Sequence, residues 1–164
     1  MRIDIQRARS DQAESLTKIA FTAKRYWGYP ERWIQIWSPI LIVSADFIEN
    51  HETFVAQVGG ELAGFYAISV IHDKASLEHM WVLPEHMGQG IGAMLFDHAL
   101  SCCKEFGVCV LEIESDPNAQ GFYERMGAKK VGQSVSELDG QPRILPIFEI
   151  NLTRWRYHPN VNIP

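Results

Sequence analysis

The chain has 164 residues, 46% hydrophobic and 21% charged, with a net charge of −5, the balance of an ordinary globular domain with a packed core. The acidic balance argues against nucleic acid, whose phosphates call for a basic face, and against an anionic membrane surface. No apolar run reaches the roughly 18 residues that a membrane span needs. Cys102, Cys103 and Cys109 are odd in number and form no Cys-x-x-Cys pair, and Met1-Arg2-Ile3-Asp4 carries no apolar secretory core. Both features lead to the expectation of a reducing, cytoplasmic setting.

Arg2 to Ala8 alternates and predicts a first strand. Ser10 or Asp11 caps a helix reaching about Tyr26, with Glu14 in the capping-box position. Gly28-Tyr29-Pro30 breaks it. Helical patterning resumes over Glu31–Trp37 and Pro39–Asn50, with Pro39 as a kink or restart. Thr53–Val58 and Glu61–Ile71 read as strands joined by the Gly59-Gly60 hairpin turn. His72-Asp73-Lys74 then turns the chain into a strand from Ala75 to Leu83. Apolar positions at helical spacing run from Ile91 to Phe106, and Gly107 stands in the C′ position. Val108–Glu114 is an apolar strand. Asp116-Pro117 opens a short helix that Gly127 closes. Ala128–Val135 and Ile144–Leu152 are the last strands, joined at Asp139-Gly140. The expectation is one α/β domain over residues 1–164 with a mixed sheet, ordered β-α-α-β-β-β-α-β-α-β-β.

The stretch Glu85-His86-Met87-Gly88-Gln89-Gly90-Ile91-Gly92 stands where a predicted strand meets a predicted helix. Glycines there let backbone approach a ligand, and a helix N-terminus offers unpaired N–H groups and partial positive charge. Together they make a phosphate socket. Gly88-x-Gly90-x-x-Ala93 also fits a dinucleotide fingerprint, with Glu112 as its ribose acid. That motif belongs after the first strand of a repeated βαβ series, whereas here it follows a three-strand meander. His72, His79 and His86 recur every seven residues but cross a turn, a strand and a loop, so no metal site is expected.

Met80-Trp81-Val82-Leu83-Pro84-Glu85-x-x-Gly88-x-Gly90-Ile91-Gly92, together with the element order, resembles the GNAT superfamily of N-acetyltransferases. A second segment, Asp116-Pro117-Asn118-Ala119-x-x-Phe122-Tyr123-Glu124-Arg125-Met126-Gly127-Ala128, is similar to the family's Asn…Phe-Tyr-x-x-x-Gly. The strand Arg143-Ile144-Leu145-Pro146 fits one bacterial subgroup. Met87 departs from the signature, which has Arg or Gln at that position, so backbone N–H groups take over its part.

The resemblance implies a mostly antiparallel sheet of seven strands with helices on both faces, and transfer of an acetyl group from acetyl-CoA to a primary amine by direct attack in a ternary complex. A non-catalytic acyl-CoA sensor is the alternative, and a homodimer is the partner expectation. Met80, Trp81, Val82 and Leu83 are expected to pair with the pantetheine arm where two parallel strands splay. Met87, Gly88, Gln89, Gly90, Ile91 and Gly92 are expected at the pyrophosphate, and Asn118, Phe122, Tyr123 and Arg125 beside the cofactor. Tyr123 is the expected general acid. Glu78 is the expected general base, with His79 as its competitor; alternation puts Glu78, Met80 and Val82 on one strand face and His79, Trp81 and Leu83 on the other. Asn118 either caps its helix or contacts pantetheine. Trp27, Tyr29 and Trp33 are the acceptor-wall candidates, with Tyr66 and Glu52 as further cleft candidates.

Overall fold

The structure is a computed structural model in which the described residues are 1–153, so the basic aromatic stretch Arg154 to His158 lies outside them. Strands β1 (Ile3–Arg7), β2 (Glu52–Val58), β3 (Glu61–Ile71), β4 (Lys74–Val82), β5 (Val110–Glu114), β6 (Lys129–Leu138) and β7 (Gln141–Asn151) form one seven-stranded sheet in the order β1-β2-β3-β4-β5-β7-β6. The helices are α1 (Ala13–Arg25), α2 (Glu31–Leu41), α3 (Ala45–Asn50), α4 (Ile91–Glu105) and α5 (Gln120–Arg125). Every strand pair is antiparallel except β4–β5.

Strand alternation divides the core in two. Phe65 and Val55 pack with Leu16, Ile19, Ala20 and Ile34 from α1 and α2. Their strand neighbours Tyr66 and Ala56 pack with Ile91, Leu95, Phe96 and Ala99 of α4. Neighbouring side chains leave opposite faces of a strand, so one meander carries a helical layer on each side.

Three boundaries differ from the sequence expectation. The reciprocal contact before α1 is made by Gln12, whose Oε1 accepts from the Arg9 N–H at 2.9 Å, and a short 3₁₀ turn, Ser10–Gln12, precedes the helix. Pro39 lies inside α2 rather than breaking it. It cannot donate to the Gln35 carbonyl, and the Ser38 hydroxyl donates to that carbonyl instead at 2.8 Å. The break falls at Ile42 to Ser44, where the Ser44 hydroxyl accepts from the Phe47 N–H at 3.0 Å and starts α3. The β6–β7 hairpin runs unbroken to Asp139-Gly140, with Leu138 opposite Gln141. Its outer end is largely polar and exposed, so no apolar alternation announced it.

Candidate active site

β4 and β5 pair over only three positions, ending with Ser76 opposite Glu112. β4 continues to Val82, still paired to β3 through Gly64. From Leu77 onward its other edge is therefore open, and the two parallel strands part. On the β3 side the register shifts: Ile68 faces Leu77 and Ala67 faces His79, leaving Glu78 as the extra residue of a β-bulge. The bulge puts Met80 and Val82 toward the α4 layer, with Trp81 and Leu83 toward the α1–α2 layer. This matches the expected alternation for those residues and frees Glu78 from either core.

Beyond β4 a 3₁₀ turn, Pro84–His86, leads into the glycine run. Gly88 and Gly90 have φ of 76° and 83°. A Cβ at either would meet nothing within 4 Å, so space stands open over both. Gly90 starts α4, whose first intrahelical bond runs from Met94 N–H to Gly90 O at 3.0 Å. Among the described residues, the N–H groups from Gly88 to Ala93 donate to no backbone carbonyl outside their own element. Free donors, positive-end helix dipole and open space fit a pyrophosphate. The Gln89 amide is turned back on the Glu85 carbonyl at 3.0 Å. A Cβ on Gly92 would lie 3.3 Å from the Phe122 ring, so this glycine lets α4 start against α5. The Arg125 guanidinium lies back over Gly121.

A cleft of about 160 Å³ fills the splay. Its walls include Leu77 to Val82, Met87, Ala23 and Trp27 from the α1 side, Glu114 at the end of β5 with Asp116 just after it, and Ala119 and Tyr123. Both Glu78 and His79 border it, where alternation alone allowed at most one; the bulge is the reason. Glu78 is exposed and accepts from the Ser69 hydroxyl at 2.7 Å. His79 is buried, and the Trp81 indole N–H donates to its Nδ1 at 2.9 Å. Burial, with a smaller push from His51, lowers the His79 pKa to about 4. Tyr123 is buried among Phe96, Phe122 and Phe148. Burial and then the charge of Asp116 push its phenol pKa up, which keeps it protonated.

Asp116 collects most of the polar contacts near the cleft. Lys24 Nζ lies 2.6 Å from Oδ2, and the Tyr29 hydroxyl donates to the carboxylate at 3.0 Å. The Asn118 N–H and side-chain amide donate to Oδ1 at 2.8 and 3.0 Å. Arg143 approaches Oδ2 to 3.6 Å. Burial pushes the Asp116 carboxyl up, but Lys24 and the hydrogen bonds outweigh it and leave it below its ordinary value. Asp116, not Asn118, is thus the cap of the turn Pro117–Ala119. Asn118 spends its amide on Asp116 and on the Tyr29 hydroxyl at 2.9 Å.

Of the acceptor-wall candidates, Trp27 borders the cleft, whereas Tyr29 is turned onto Asp116. Trp33 donates its indole N–H to Asp139 at 3.1 Å, tying α2 to the β6–β7 turn. Tyr66 and Glu52 do not reach the cleft: Tyr66 packs on the α4 side, bonded to His98 at 2.8 Å, and Glu52 pairs with Arg7. Sequence reasoning missed Glu114, Lys24 and Asp116. Glu114 carried a signal, since Glu112 and Glu114 interrupt an apolar strand at period two. Lys24 and Asp116 are 92 positions apart and carried none.

The Acetyltransferase (GNAT) family profile matches residues 13–128. A ribosomal protein bS18-alanine N-acetyltransferase of Bacillus subtilis is 35% identical over 81 residues, which are 48% of this chain and 54% of that protein, so the chain spans about half of that relative's length. The peptidyl-lysine N-acetyltransferase YjaB of Salmonella typhimurium is 28% identical over 152 residues, 87% of this chain and 94% of the relative. Among solved structures, the PaiA N-acetyltransferase of Thermoplasma acidophilum, in complex with coenzyme A, superposes with a TM-score of 0.74 at 23% identity, covering 92% of this chain and 99% of that one. With the splayed parallel pair and the glycine-rich socket in place, the profile match over most of the sequence settles the family: the chain belongs to the GNAT acetyltransferases.

Proposed function

We propose that the protein transfers an acetyl group from acetyl-CoA to a primary amine by direct attack in a ternary complex, with Tyr123 as general acid and Glu78 as general base. The observation that carries this reading is the splay. The free edge of β4 from Leu77 runs from the glycine socket into a cleft that holds a buried phenol and an exposed carboxylate. Acetyl-CoA supplies a thioester whose carbonyl carbon gains the bond to nitrogen as its bond to sulfur breaks.

The residues of the chain divide the remaining work. Backbone N–H groups between Gly88 and Ala93 would hold the pyrophosphate. The open edge of β4 would pair with the pantetheine amides, and one of its N–H groups would face the carbonyl oxygen as charge develops there. Tyr123 O–H would give its proton to the departing sulfur. Glu78, directly or through water, would take the proton lost by the amine. His79 is the poorer base: its Nδ1 lone pair is engaged by Trp81, and its low pKa makes it a weak proton acceptor.

The acceptors in the relatives' names, a protein alanine and a peptidyl lysine, are primary amines. A cytoplasmic setting goes with this reading, since Cys102, Cys103 and Cys109 are all free. The deciding experiment is calorimetry with acetyl-CoA, followed by thiol release across lysyl peptides, alanyl peptides and small amines. Turnover with at least one amine is the expected result. Binding without turnover would leave an acyl-CoA sensor, and absence of binding would defeat both.

A further inference from the structure

Lys24 is buried with a single carboxylate partner, yet it stands next to Ala23 on the wall of the cleft. Its ammonium also lies over the rings of Trp37 and Tyr29, at 4.2 and 4.9 Å from their centroids. The partner, Asp116, also lines the cleft and caps the turn Pro117–Ala119, which runs directly into the helix bearing Tyr123. Arg143 from β7 approaches the same carboxylate from a third element, and its guanidinium lies 4.8 Å from the Trp37 ring. One half-buried carboxylate thus joins α1, the α1–α2 joint, the turn before α5 and β7, with its Lys24 partner 92 positions away. Burying these charges is costly in itself, so stability alone is a poor account of the arrangement.

We infer that Lys24 is a positioning residue for the transfer: by holding Asp116 at the edge of the cleft, it sets the turn that aims Tyr123 and the gap between the acceptor wall and the acid. Lys24 touches no reacting atom; it acts through Asp116 on Tyr123. The glycine run lies on the loop before α4 and shares no hydrogen bond or ion pair with Lys24 or Asp116. The inference rests on the proposed acid role of Tyr123, and the test separates the two. A misplacement of about 1 Å at a reacting centre costs on the order of a hundredfold in rate.

The test is a double-mutant cycle of Lys24→Met and Tyr123→Phe. Thiol release from acetyl-CoA is followed with a lysyl peptide as acceptor and, in parallel, with water alone. In Lys24→Met, Arg143 remains as the counter-ion of Asp116. The expected result is a kcat lowered about tenfold or more, with the KM and the calorimetric Kd for acetyl-CoA unchanged. In the Tyr123→Phe background the same substitution should cost less than about threefold, because the group it positions is gone. Losses that multiply, or a Lys24→Met enzyme with wild-type kcat while Tyr123→Phe is slow, overturn the positioning role alone. Wild-type turnover in Tyr123→Phe overturns the acid role and the inference with it. Should Lys24→Met not fold, Asp116→Asn keeps a side chain that can cap the turn and removes the charge that Lys24 holds. It is then expected to lower kcat with the acetyl-CoA Kd unchanged, and an unaltered kcat would overturn the inference.

Discussion

At the scale of single residues, the chemistry turns on what each side chain is already bound to. Trp81 holds the one basic nitrogen of His79, whereas Glu78 is displaced to the cleft by the bulge. Glu78→Gln is expected to lower kcat near neutral pH on the order of a hundredfold, as loss of a general base does. The deficit should shrink as pH rises and the amine deprotonates by itself. A pH–rate profile of the variant parallel to that of the wild type would reassign the base. Met87 borders the cleft where the signature carries a polar anchor. Met87→Arg supplies a charge-assisted hydrogen bond of about 1.5–3 kcal/mol, so the acetyl-CoA Kd by calorimetry should fall by about tenfold or more. An unchanged Kd would mean that the backbone already saturates the phosphates.

At the scale of elements, two glycines do work that their neighbours cannot. Gly90 takes φ of 83° at the start of α4. Gly90→Ala forces a left-handed non-glycine residue, costing about 1–2 kcal/mol, and disturbs the socket more than the core. Calorimetry is expected to show weakened acetyl-CoA binding beside a small fall in melting temperature. Gly64 on β3 behaves differently: a Cβ there would lie 2.5 Å from the Trp81 carbonyl. Gly64→Ala must push β3 away from β4 at the strand that lines the cleft, so a lowered melting temperature and loss of turnover should appear together. Full activity with an unchanged melting temperature would refute that account. Element order, strands, turns and the glycine socket were legible in the sequence because hydrophobic period, Gly and Pro act locally. The α2–α3 break was misread because Ser38 compensates Pro39, an arrangement that the proline alone does not reveal.

At the scale of the whole molecule, stability should fall with acid in two stages. The folded His79 pKa is about 4, against about 6.5 for an unfolded histidine. As pH drops from about 6.5 to 4, the unfolded chain binds a proton that the folded chain refuses. Stability from this group is therefore full above that window and declines through it, by about 3 kcal/mol in all. Asp116, lowered below the ordinary carboxylate value, adds its loss at more acid pH as it protonates and releases Lys24. Melting temperatures from pH 8 to 3 are expected to show both limbs. His79→Gln should remove most of the first, leaving the share of His98, whose pKa burial also lowers, and should leave the second. A variant whose acid limb is unchanged between pH 6.5 and 4 would show that His79 is not its source.

The sequence by itself determined the family, the strand–helix order and the glycine-rich junction between β4 and α4, because each is written in contiguous residues whose backbone preferences decide their form. Only the tertiary structure decided that Glu78 escapes the strand's alternation, that Trp81 engages His79, and that Lys24, Tyr29 and Arg143 converge on Asp116. These depend on a register shift between strands and on side chains brought together from distant segments. No local period encodes either, because both arise from how the sheet and its two helical layers settle against each other.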